Sequence, residues 1–231
     1  MGGCEVMKVL ALLLTHLLAS LAEKQDLSGK MFTFPEESDT AHVILVPNQS
    51  KSLTAVTVCL RFFSDLTRAQ SLFSFATPAS SNGFLLYKQA NGVYEIDKND
   101  KFVLFRSLGD YPNQWNSVCA TWNSQTGIAQ VWVNRKQSTR KGISQVGDIS
   151  GTPSIILGQE QDSYGGKFDK AQSFVGMQTD IYMWDSVLPD PEIALYMNRT
   201  IPQKTDGNVI NWKSLDFTIK GYVIVENQIN A

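Results

Sequence analysis

The chain has 231 residues, with 20 Lys and Arg against 22 Asp and Glu, a formal net charge of −2, two His and three Cys. At 43% hydrophobic and 18% charged residues its composition is that of an ordinary globular protein, which excludes a disordered or collagenous chain. The charge balance leaves no basic footprint for nucleic acid or for anionic membranes.

In chain order, the first feature is an apolar run that opens at Val9-Leu10-Ala11-Leu12-Leu13-Leu14, follows Lys8 and reaches Leu21. It ends at the small-x-small pattern Ser20-Leu21-Ala22. Residues 1–22 read as a secretory signal peptide, since the run is short for a membrane span, an uncleaved anchor being the alternative. Its removal leaves one domain over 23–231, exported and extracellular. It also takes away Cys4 and His16, so Cys59, Cys119 and His42 remain. Two cysteines in an oxidising compartment are expected to pair, the alternative being two buried thiols. Asn48-Gln49-Ser50 and Asn198-Arg199-Thr200 are N-glycosylation sequons.

Period-2 patterning then dominates. Thr54–Phe62 alternates, placing Val56, Val58, Leu60 and Phe62 on one face. Ser71–Phe75, Gly83–Tyr87 and Lys101–Phe105 are short strand-like runs, and Ala41-His42-Val43-Ile44 makes His42 a strand residue without chemistry. Trp115–Trp122 and Ile128–Val133 flank Asn123–Gly127 and predict a hairpin. Ser154–Leu157, Gln178–Trp184 and Gly221–Val225 add strands. Asn82-Gly83, Asn91-Gly92, Gly109-Asp110, Gly165-Gly166 and Asp206-Gly207 read as turns. One helix is predicted, with Asp190 as cap, Pro191 at the first helical position, an apolar face of Ile193, Ala194 and Met197, and an end near Asn198. The fold class is all-β, a two-sheet antiparallel sandwich with one short helix.

The scarcity of histidine excludes much chemistry. A Ser-His-Asp hydrolase needs an imidazole base, and zinc needs nitrogen or sulfur ligands. Oxygen chemistry remains, densest in Gly158–Gln172. Calcium takes six to eight oxygen ligands from carboxylates, amides and carbonyls. Glu160 and Asp162 flank a residue whose carbonyl can point the same way, and Gly165-Gly166 let the chain fold back so that Asp169 and Gln172 can meet them. A polar surface loop is the alternative, which Lys167 and Lys170 favour.

Glu160-Gln161-Asp162-Ser163-Tyr164-Gly165-Gly166-Lys167-Phe168-Asp169 resembles the calcium loop of the pentraxins. Val118-Cys119-Ala120-Thr121-Trp122-Asn123-Ser124 resembles the family signature, with Ser117 where the signature opens with histidine. Arg61–Leu66, Met183–Pro189 and Gly221–Val225 extend the similarity from about Asp26 to Val225. The resemblance implies a jelly roll, a homopentamer, a Cys59–Cys119 disulfide and two adjacent calcium ions. Phosphate, phosphoethanolamine or carbohydrate ligands on microbial or damaged-cell surfaces would bind through the ions. The helix would lie on the opposite face, where complement or receptor partners dock. Such a protein serves innate immunity and is not an enzyme.

Carried over residue by residue, Glu160, Asp162, Asp169, Gln172 and Asn82 stand at ligand positions, and Gln161 would offer its backbone carbonyl. Tyr87 takes the aromatic place beside the ions. Ser81 replaces an aspartate, so three carboxylates face the +4 of two calcium ions. The ion touching Asn82 is therefore expected to bind weakly, or a single ion to bind; if both bind, the surplus positive charge should favour anionic ligands. Phe102 falls where one branch of the family has a glutamate for choline, with Asp97 and Asp100 nearby. Two other readings compete: a jelly-roll glycoside hydrolase built on Glu160 and Asp162, and an opsonising or structural oligomer with weakened calcium binding.

Overall fold

The computed structural model describes residues 24–90, 92–143, 147–198 and 206–229. The predicted signal peptide lies outside them. In chain order the strands are β1 (Lys30–Phe34), β2 (His42–Val46), β3 (Ala55–Phe63), β4 (Gln70–Thr77), β5 (Ser80–Gln89) and β6 (Val93–Asp97). There follow β7 (Phe102–Phe105), β8 (Asn116–Asn123), β9 (Ile128–Val133), β10 (Lys136–Gln137), β11 (Lys141–Gly142) and β12 (Ser154–Leu157). A 3-10 turn (Lys170–Gln172), β13 (Gly176–Trp184), helix α1 (Asp190–Met197), β14 (Ile210–Asn211), β15 (Asp216–Lys220) and β16 (Ile224–Asn227) complete the order.

The strands form two antiparallel sheets. One runs β10-β9-β8-β3-β13-β1-β16, with β11 on β9 and β14 on β13; the other runs β15-β2-β12-β4-β5-β6-β7. The inward faces interdigitate through Val56, Val58, Leu60 and Phe62 of β3, as the alternation predicts, against Phe73, Phe84, Leu86 and Ile96. β3 is buried on its other face as well, because α1 and the segment before it cover that side. There Thr57 Oγ1 donates to Ser186 O at 2.6 Å, and an Arg61 guanidinium nitrogen donates to Tyr196 O at 2.6 Å.

Cys59 and Cys119 stand opposite each other in the β3–β8 register and form the disulfide. It closes a loop with a sequence separation of 60. The β8–β9 hairpin also forms where the spacing places it.

Several local readings are corrected, among them the turns expected at Gly109-Asp110 and Asp206-Gly207, where the chain runs irregularly. In α1 the cap position belongs to Pro189, which makes no side-chain cap bond, and Asp190 is already helical. Pro191 is thus the second helical residue. Ala194 is exposed, and the buried stripe is Ile193, Tyr196 and Met197, the i, i+3, i+4 set that one helix face allows. Asn82-Gly83 is not a turn: both residues lie within β5, and the β4–β5 turn is Pro78-Ala79. Gly221–Val225 is not one strand. Gly221–Val223 is the crossing from β15 in one sheet to β16 in the other. Gly221 has φ +68°, and a Cβ there would sit 2.8 Å from Ala41 Cα, so glycine is required at the crossing.

His42 opens β2. Its Nδ1 lies 2.7 Å from Thr40 O, its ring meets Phe168 edge-on, and burial lowers its pKa. It takes no part in the site below.

Candidate functional site

The Gly158–Gln172 segment lies against the outer face of the β4–β5–β6 strands, and alternation decides what it presents there. Gln159 and Gln161 are buried and tie the segment down. Gln159 Nε2 donates to Ser38 O and Ala41 O at 2.7 and 2.9 Å, and Ser71 Oγ donates to Gln159 O at 2.9 Å. Gln161 Nε2 donates to Ser74 Oγ and Ser154 O, both at 3.1 Å, while its Oε1 accepts from Gly165 N. With its side chain committed, Gln161 has its main-chain carbonyl to offer an ion.

The intervening acids, Glu160 and Asp162, turn the other way. They line a cavity of about 290 Å³ together with Asn82, Leu85, Tyr87, Gln89, Glu95 and Gln172. The fold thus brings five of the expected site residues to one cavity: Asn82, Tyr87, Glu160, Asp162 and Gln172. Asp169 is not on its wall. Its Oδ1 accepts from Ala171 N at 2.9 Å, capping the 3-10 turn that carries Gln172. Its charge still reaches Tyr87.

Three buried side-chain oxygens of this cavity have no donor: Asn82 Oδ1, Glu160 Oε2 and Gln172 Oε1. Buried polar atoms are ordinarily paired. Three unpaired acceptors on residues that line one cavity fit a hard cation that prefers mixed carboxylate and amide oxygens. Among the described residues no three His, Cys, Asp or Glu side chains converge closely enough to hold an ion, so amide and carbonyl oxygens must take part.

The electrostatics agree. Burial, followed by the Asp162 charge, raises the Glu160 pKa to about 7, with an Asn82 hydrogen bond acting against the rise. Burial and the Glu160 and Glu95 charges push Tyr87 up to about 12, so it stays a neutral phenol. Ser81 Oγ faces Asp100 Oδ1 at 3.3 Å, and the same oxygen accepts from Asn82 N at 3.1 Å.

Glu95 and Gln89 line the cavity without being among the expected residues: Gln89 ends β5 beyond the predicted Gly83–Tyr87 run, and Val93–Asp97, which carries Glu95 and the already noted Asp97, is a strand absent from the sequence reading. The signal was present: buried Tyr94 and Ile96 alternate with the two acids. Tyr87 pairs with Glu95 and Leu85 with Asp97 across β5–β6, which puts all four on one face.

Of the two sequons, Asn48 is exposed and accepts from Lys24 Nζ at 2.6 Å. Asn198 ends α1, and the rest of its sequon lies outside the described residues. Among the described residues no helix is long and apolar enough to cross a membrane.

A jelly-roll sandwich with an acceptor-rich cavity on one outer face defines the class as a lectin-like binding fold. The chain belongs to the Pentaxin family, whose model matches residues 30–227. It is 44% identical to human serum amyloid P-component over 214 residues, covering 92% of this chain and 93% of that one. It is 37% identical to mouse mucosal pentraxin over 221 residues, covering 96% and 97%. In structure it resembles the native heptameric SAP-like pentraxin from Limulus polyphemus, with a TM-score of 0.79 at 24% identity, covering 87% of this chain and 96% of that one. This last likeness speaks for the fold.

Proposed function

We propose that this protein is a secreted, calcium-dependent recognition protein of innate immunity that binds phosphate- or carbohydrate-bearing ligands without turning them over. Glu160, Asp162, Asn82, Gln172 and the main-chain carbonyl of Gln161 hold the calcium, and Asp169 adds charge at the margin. When bound, the ion offers open coordination positions to an anionic or hydroxyl-bearing ligand. Tyr87 packs against that ligand and keeps its phenolic proton to donate. The single observation that supports this most is that three residues lining one cavity each carry a buried side-chain oxygen without a donor. The mature chain is 23–231, and its family and relatives favour a cyclic homo-oligomer. A ring gains avidity because each further site binds at high effective concentration. The helix-bearing face is left for complement-type or receptor partners.

Calcium titration by calorimetry, with capture on immobilised phosphoethanolamine or acidic sugars, tests this reading. Calcium binding should be saturable, and capture should reverse with chelator. Glu160→Gln should weaken calcium by about 100-fold, since a charged oxygen ligand would be lost. Unchanged calcium affinity in that variant would overturn the assignment. Chelator-insensitive glycan hydrolysis abolished by Glu160→Gln would favour the hydrolase instead.

A further inference from the structure

The serine at position 81 removes a negative charge from the proposed cation site, and the structure shows an acid that replaces it. Asp97 stands opposite Leu85, which lines the cavity, on the face shared with Tyr87 and Glu95. It is only 6% exposed. The backbone N–H groups of Lys98 and Lys101 donate to each other's carbonyls at 2.8 and 3.3 Å, and the Asp97 Oδ1 is buried with no donor. The charges that bear on Asp97 are those of Glu95 and Asp100, both negative. The neighbouring Lys98 points into the core, where its Nζ donates to Gly147 O at 2.6 Å and lies 4.6 Å from the centre of the Trp122 ring. A buried carboxylate with no cation beside it is costly. The Asp97 charge is also felt at Glu160, which is 3% exposed and has its own unpaired oxygen. The other nearby acids are otherwise engaged. Glu95 Oε2 accepts from Gln89 Nε2 at 3.1 Å, and Asp100 fastens Ser81 and Asn82.

We propose that Asp97 is the acid that balances the calcium site in place of the carboxylate missing at position 81. It acts through its charge on an ion held by Glu160, Asp162, Asn82 and Gln172. It is a positioning residue rather than a ligand, since no three acids converge at binding distance among the described residues. The inference rests on the calcium reading above and reverses one consequence of Ser81: the site is not left with surplus positive charge.

The test is calorimetric titration of the mature protein with calcium chloride alone. Asp97→Asn should weaken binding by about tenfold, because affinity follows the ligand charge count. Ser81→Asp in the Asp97→Asn background should restore it, a rescue that a merely structural role would not give. Ser81→Asp alone should change the affinity by less than about threefold. In chelator, Asp97→Asn should melt at or above the wild-type temperature. Equal affinities of wild type and Asp97→Asn would overturn this inference alone, as would failure of the rescue. A loss confined to phosphoethanolamine capture would overturn it and assign Asp97 to the ligand's ammonium group. Should Asp97→Asn not fold, Ser81→Asp decides by itself, since a gain of about tenfold would leave position 81 uncompensated. A wild-type protein that binds no calcium would overturn the underlying reading as well.

Discussion

The two outer faces of the sandwich are built from the same kind of strand and finished in opposite ways. On the helix face, the outward residues of β3 are completed from within the chain. Thr57 bonds Ser186 and Leu188, Cys59 is bridged to Cys119, and Arg61 meets Asp180 at 3.3 Å and Tyr196 O at 2.6 Å. The unpaired atom there is a donor, Arg61 Nε. On the opposite face, the outward atoms left over are acceptors: Asn82 Oδ1, Asp97 Oδ1, Glu160 Oε2 and Gln172 Oε1. A face finished internally contributes stability, and one left rich in buried acceptors costs stability, as the proposed cation site would require.

This contrast can be broken at either face. The largest effect should come from Cys59→Ala with Cys119→Ala. The chain-entropy model gives a loss of about 4 kcal/mol for a loop of this length, read by denaturant unfolding. The calcium affinity of whatever remains folded should be unchanged, and a parallel loss of affinity would show that the faces are coupled. Next is Ile193→Ala, which leaves a cavity under α1 and should cost about 3 kcal/mol. Its neighbour Ala194→Ser is exposed and should cost less than about 0.5 kcal/mol. Equal costs would mean that the helix is rotated from the position described.

A smaller effect than that of Ile193→Ala sharpens the other face and depends on pH. The Glu160 pKa is raised in the folded state from 4.5 to about 7, so between these values the folded protein binds more protons than the unfolded chain. Without calcium, the Glu160 contribution to stability therefore falls as pH rises from about 4.5 to about 7. In chelator, Glu160→Gln should melt a few degrees above wild type at pH 7.5, with the gap closing toward pH 5. Calcium should reverse the order at pH 7.5, because the ion favours the charged carboxylate. A gap that widens on acidification would refute the assignment of Glu160 as a destabilising buried acid.

The local alphabet of this protein was legible where one residue's neighbours decide its state. The alternation in β3, the β8–β9 hairpin and the acid spacing around Gln161 need only period 2 and turn chemistry. They were enough to read an all-β sandwich and to single out Glu160, Asp162 and Gln172. Where two distant segments compete for a residue, the sequence alone misled. Gly221–Val223 has the composition of a strand but is a crossing, because the backbone beside Ala41 leaves room only for glycine. Asn82-Gly83 has the composition of a turn but lies in β5, because Pro78-Ala79 already closes the hairpin.

Charge balance belongs to the same class. The sequence by itself determined that position 81 lacks an acid and that Asp97 and Asp100 lie a short way along the chain. Only the tertiary structure decided that β5 and β6 pair with Leu85 opposite Asp97, which buries that acid on the cavity's face and leaves one oxygen without a donor. The physical reason is that a side chain's face follows from its own strand, whereas its neighbours follow from the register between strands.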